Sequence, residues 1–198
     1  MNQRTPLLFC LFLALLATGC AHTYRIDPIS RKAPLRADAS AVVSVPRDGS
    51  YQMEVFEGSG RAIAQVVGAA FNRRLPRVAM MRDPAALEVC LAEARANQFD
   101  YLVVPLFTDW INREAEYGHP ERVQLSLTAY DAQSGKPVAF ANINAKCKWA
   151  ALDGVDPEVL LATPVDISVN WFFSPAGTPA PNGKPDAQPD SPPSAGGE

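Results

Sequence analysis

The stretch YLVVPLFTDWI, residues 101–111, decides how the rest of the chain is read. Leu102, Val103 and Val104 put apolar side chains on both faces of an extended segment, the pattern of a strand covered on both sides. Its partners follow in sequence. Along residues 122–131, Val123, Leu125, Leu127 and Ala129 alternate with Gln124, Ser126, Thr128 and Tyr130, so one face is buried and the other is wetter. Ser134-Gly135 supplies a turn. Residues 138–149 then return antiparallel, with Ala141, Ile143, Ala145, Cys147 and Trp149 on one face.

Upstream of this meander the pattern alternates between strand and helix. AVVSV, residues 41–45, is a short β-branched run stopped by Pro46, and Arg47-Asp48-Gly49 is turn chemistry. After Gly58-Ser59-Gly60, residues Ile63, Val66, Val67, Ala70 and Phe71 fall at helical spacing on one face. Residues 77–81 form a second strand. Asp83-Pro84 then offers a cap and a first-turn proline to a helix carrying Leu87, Cys90, Leu91 and Ala94 inward. Asp156-Pro157 and Thr163-Pro164 repeat that pairing and predict two short closing helices, with Val165, Val169 and Phe172 on one side of the last.

The order strand, helix, strand, helix, three strands, helix predicts an α/β domain over residues 41–173. Right-handed crossovers join three parallel strands, and the meander completes one mixed five-stranded sheet in the order 2-1-3-4-5. Residues 20–40, polar with Pro28 and Pro34, read as a tether. Residues 174–198 hold prolines and no large apolar side chain, and read as a disordered tail.

The amino end has the layout of a secretory signal: Arg4, an apolar run from Leu7 to Leu16, and small residues before Cys20. The run is too short for the roughly 20 residues that cross a bilayer. LLATGC, ending at Cys20, resembles a bacterial lipobox. That resemblance implies cleavage after residue 19 and acylation of Cys20, with Ala17 in place of the commoner leucine. Ala21 follows, where inner-membrane retention in enterobacteria uses aspartate, so the expectation is an outer-membrane anchor facing the periplasm.

The net charge is −3, which argues against non-specific nucleic-acid binding. Cys90 and Cys147 either bridge in an oxidising compartment or stay as small buried apolar groups. Gly58-Ser59-Gly60 opens a helix, as phosphate loops do. Yet Ile63 stands where a dinucleotide fingerprint needs a third small residue, and no Lys-Ser/Thr follows. Ser59 is therefore read as a plain helix cap. His22 and His119 are the only histidines; no His-x-x-x-His or Cys-x-x-Cys spacing suits zinc, and Cys90 and Cys147 sit on apolar faces, which argues against a Cys–His pair. No cofactor, metal or enzymatic activity is expected.

SVPRDGSY (44–51), VFEGSG (55–60), FDYLVVP (99–105), Trp110 with Arg113 and Glu116, YDAQSG (130–135) and Lys148-Trp149 resemble a family of short proteobacterial lipoproteins known as a domain of unknown function. The resemblance covers about residues 41–173 and implies no activity. At fold level the element order is similar to the TolB amino-terminal domain, to activator lipoproteins of peptidoglycan synthases and to the curli-secretion lipoprotein. Those relatives mostly act by touching other envelope proteins.

The cluster Asp109, Trp110, Arg113, Glu114, Glu116 and Tyr117, with Lys148 and Trp149, gathers aromatic and charged types found at interface hot spots. It is the expected interaction surface. The alternatives are a polar-ligand or glycan site, and a solvated strand end with ion pairs. The expected partners are the membrane, through the lipid, and another envelope protein.

Overall fold

The computed structural model describes residues 22–51, 54–111, 122–147 and 157–181. In chain order the elements are β1 (His22–Arg31), β2 (Ser40–Val43), β3 (Ser50–Tyr51), β4 (Glu54–Val55), α1 (Ser59–Asn72), β5 (Arg77–Met80), α2 (Leu87–Ala96), β6 (Tyr101–Ile111), β7 (Arg122–Asp131), β8 (Pro137–Cys147) and α3 (Pro157–Phe173). One mixed sheet runs β1-β8-β7-β6-β2-β5, and β3 and β4 form a separate small hairpin. β2 pairs parallel with both β5 and β6, whereas β6, β7, β8 and β1 are antiparallel neighbours.

The expected five-stranded order therefore needs correction: the sheet has six strands, and its order differs by one added at the β8 edge. That strand is β1, which occupies the segment expected as a tether. Ile26, opposite Ile143, is 2% exposed, and Ile29 packs against the same core. The pairing register shifts between Ile26 and Ile29, where Asp27-Pro28 intervene. Edge strands tolerate a proline at such a bulge. The rest of the segment also packs: Leu35 and Ala39 are buried, and the Leu35 amide donates to the Phe172 carbonyl at 2.9 Å.

Each face of the sheet has its own apolar layer. Val43, Val103, Leu125, Leu127, Ala141 and Ile143 meet α1 and α3 through Ile63, Val67, Phe71, Leu161, Val169 and Phe172. Burying a side chain such as Phe71 stabilises the fold by about 1.5–3 kcal/mol. On the other face, Val42, Leu102 and Ala132 meet α2 through Cys90, Leu91 and Ala94. Beyond α2 that face carries Gln124, Ser126, Thr128, Asn142 and Asn144, all half-buried.

Three smaller expectations also fail. The closing region is one helix with Pro164 inside it, not two short helices. An internal proline forfeits a hydrogen bond, but Leu160, Leu161, Val165 and Val169 on both sides of it are buried in one core, and that packing keeps the axis continuous. α2 starts at Leu87, with Ala86 rather than Asp83 at its cap. The segment expected as tail is docked over its first residues. The Trp171 indole N–H donates to the carbonyls of Thr178 and Pro179 at 3.2 and 3.0 Å, and Arg31 Nη2 donates to the Pro175 carbonyl at 2.8 Å. The Arg31 guanidinium lies 4.2 Å over the Trp171 ring. Residues 182–198 lie outside the described residues, as does the signal segment 1–19.

Candidate functional site

A cavity of about 740 Å³ opens at the carboxyl ends of the parallel strands. Three pieces of chain line it: residues 44–50 after β2, residues 84–86 before α2, and residues 104–108 of β6. The chain leaves β2 for β5 on one side and returns through α2 to β6 on the other. β2 and β6 therefore flank the point where the direction of winding reverses, which is where open α/β sheets bind ligands.

A proline creates the opening. The Ser44 amide donates to the Val103 carbonyl at 2.9 Å. The next rung of a parallel ladder would need an N–H from residue 105, which is Pro105. The β2–β6 pairing stops there, and residues 44–50 and 104–108 become the two facing walls of the cavity. The ring of Pro105 remains buried against the β6–β7 side, opposite Leu127.

The loop is then locked onto α1. Gly58, at φ 83, caps the helix without a side chain, so Ser59 is not the cap that the sequence suggests. Its hydroxyl instead accepts the Gly49 amide at 2.8 Å. The cap function falls to Asp48, whose carboxylate accepts the amides of Gly58 at 3.1 Å and Gly60 at 2.8 Å. Gly60 must be glycine, because a methyl group there would overlap the Pro46 carbonyl oxygen. An anion has no place at this helix start, since Asp48 already holds its amides.

What remains open to solvent around the cavity is mixed. Leu106 is 57% exposed. Arg47 and Thr108 are exposed as well. Ser44 is buried. Among the described residues no three of His, Cys, Asp and Glu come together.

The expected interaction cluster meets this site only through its β6 members. Asp109 and Trp110 continue β6 directly past the lining residues, paired with Gln124 and Val123. Arg113, Glu114, Glu116, Tyr117, Lys148 and Trp149 lie outside the described residues, as do Cys20 and His119. The lining residues 44–50 and 84–86 carry no striking side-chain chemistry. The signal that finds them is topological: they follow parallel strands at the reversal point.

A second, smaller cleft of about 200 Å³ lies at the opposite end of the sheet, among Arg36, Gln98, Phe99, Asp100, Tyr101, Asp131 and Gln133. Its charges hold the fold together. Asp100 accepts the Ser40 amide and hydroxyl, both at 2.8 Å, and Arg36 Nη2 at 2.5 Å. Burial pushes the Asp100 carboxyl up, but the Ser40 hydrogen bonds and the Arg36 charge outweigh it and hold it below the usual carboxylate range. Hydrogen bonds from Ser134 do the same for Asp131. Cys90 is a free, buried thiol, so no Cys90–Cys147 bridge exists. Burial pushes its pKa up, with Glu93 adding to the effect.

Fold and site together define a class: a small mixed-sheet domain with an open crevice at its winding reversal and a locked loop on one wall. The chain belongs to the family described as a domain of unknown function, DUF4823, whose model matches residues 33–169. No curated protein matches it. Among solved structures it is similar to the PelC dodecamer from Paraburkholderia phytofirmans, at 14% identity, TM-score 0.57, and cover of 75% of this chain and 97% of that one. It is also similar to protein XCC0632 from Xanthomonas campestris, of family DUF330, at 13% identity, TM-score 0.48, and cover of 73% and 88%. A third is lipoprotein GNA1162 from Neisseria meningitidis, at 12% identity, TM-score 0.44, and cover of 65% and 95%.

Proposed function

We propose that this protein is a lipid-anchored, outer-membrane lipoprotein facing the periplasm, and that it acts without catalysis as a binding module of the envelope. The observation that carries the reading is the state of Asp48. This acid of the crevice wall is committed to the amides of Gly58 and Gly60. The polar chemistry beside the crevice thus holds a loop in place, and the exposed wall offers Leu106, Thr108 and Arg47 for contact. Interaction surfaces have this mix of apolar centre and polar rim.

The partner is another envelope protein or further copies of the chain. The second possibility borrows from the PelC dodecamer, which has the same fold. The test is a photoreactive residue at Leu106 in intact cells, alongside fatty-acid labelling. The expected results are label on the wild type, none on Cys20→Ser, and one dominant crosslinked species, either a second protein or a ladder of self-adducts. Equal labelling of both chains overturns the anchor. An absence of crosslinks from Leu106 overturns the crevice wall as the contact.

One observation favours a second reading. The crevice is concave, and its volume falls within the ~300–1,000 Å³ usual for ligand pockets. A small-molecule or glycan ligand would occupy it, with Phe107 as the aromatic wall. Native mass spectrometry of protein taken gently from membranes separates the two, because a retained small adduct supports only the ligand reading.

A further inference from the structure

We infer that the domain stands directly on the bilayer on one end of its sheet, and that its carboxyl-terminal segment leaves from the other end, about 30 Å away. The inference rests on the reading of Cys20 as the acylated residue. It follows from where β1 lies.

Only Ala21 separates Cys20 from His22, the first residue of β1. Two residues reach at most about 7 Å, so the acylated residue sits at the sheet with no tether between. The pairing then identifies which end this is. His22 lies opposite Cys147, Lys146 opposite Arg122, and Arg122 opposite Ile111. These residues share one edge of the sheet, at the carboxyl end of β6. At the other edge Arg31 lies opposite Ala139, Tyr130 opposite Pro137, and Tyr101 opposite Asp131. Nine strand steps at about 3.3 Å separate the two edges. Arg31 bonds to Pro175 at the far edge, so the chain beyond α3 departs there.

The near edge has the chemistry of a headgroup contact. Tyr24 is 38% exposed two steps from the start of β1, and Lys146 is exposed opposite Thr23. An aromatic with a polar tip and a cation on a flexible stem suit the boundary between lipid and water. The partner of this end is a phospholipid surface.

The test uses the full acylated chain, purified from bacterial membranes and reconstituted into vesicles of phosphatidylethanolamine and phosphatidylglycerol. Benzoylphenylalanine is placed singly at Tyr24, Lys146, Gln133 or Lys136. The last two are exposed residues of the β7–β8 turn at the far edge. Acylation is read by mass spectrometry, vesicle binding by flotation, and folding of each variant by its thermal melt. The expected result is phospholipid capture at Tyr24 and Lys146 several-fold above that at Gln133 and Lys136. Equal or reversed capture by an acylated, floating protein overturns the orientation and leaves the lipoprotein reading standing. A chain that carries no acyl group and does not float overturns both.

Discussion

Asp100 holds the amino ends of β2 and β6 together through Ser40 and Arg36, and its protonation state has a consequence. A carboxyl held below its ordinary value of 3.8 adds stability above that pH and loses it as pH falls through the folded value. Asp100→Asn is expected to destabilise the domain by about 1 kcal/mol at neutral pH, with the gap to wild type closing below about pH 4. Urea titrations at several pH values check this, and a constant gap would show that charge plays no part. At the crevice, Asp48→Ala is expected to cost about 1 kcal/mol through the lost helix cap. Gly60→Ala is expected to cost about 1–3 kcal/mol through overlap with the Pro46 carbonyl. Both are read from denaturant midpoints. Neither position is legible as important in the sequence. Asp48 looks like a turn residue, and its targets Gly58 and Gly60 are ten and twelve residues on.

Elements with a strong internal period are legible: the alternation in β7 and β8 and the apolar face of α1 appear in the chain as they do in the fold. Elements held by distant partners are not. β1 has only Ile26 and Ile29 around a proline, and what makes it a strand is the free edge of β8, with Thr23 bonded to Lys146 across 123 residues. α3 reads as two helices because proline is a local signal, whereas the core that bridges it is not local. The docked segment after α3 is hidden for the same reason, since its backbone carbonyls bond to Trp171 and Arg31. Two truncations separate the parts of this tail. Ending the chain after residue 181 is expected to leave the melting temperature unchanged. Ending it after residue 173 is expected to cost about 1–2 kcal/mol, because the indole and the half-buried guanidinium lose their partners. Identical melts for the two would show that the docked segment contributes nothing.

For the molecule as a whole, the segment 22–39 ahead of β2 is a structural part of the domain. Removing it to start at Ser40 deletes Ile26 and Leu35 from the core. Each such loss costs about 2–5 kcal/mol against a typical total of about 5–15. The shortened chain is expected to lose its cooperative melt in circular dichroism, and a near-native melt would show that the sheet closes without β1. The same strand sets the order of events during synthesis. β1 is the first described stretch to be synthesised, and it pairs with β8, the last strand. It must wait through almost the whole of synthesis with its ladder groups unmade. Loop closure over that span is slow, and the β8 edge stays open to other chains until the strand arrives. The domain thus completes its sheet by bringing its last strand back to its first.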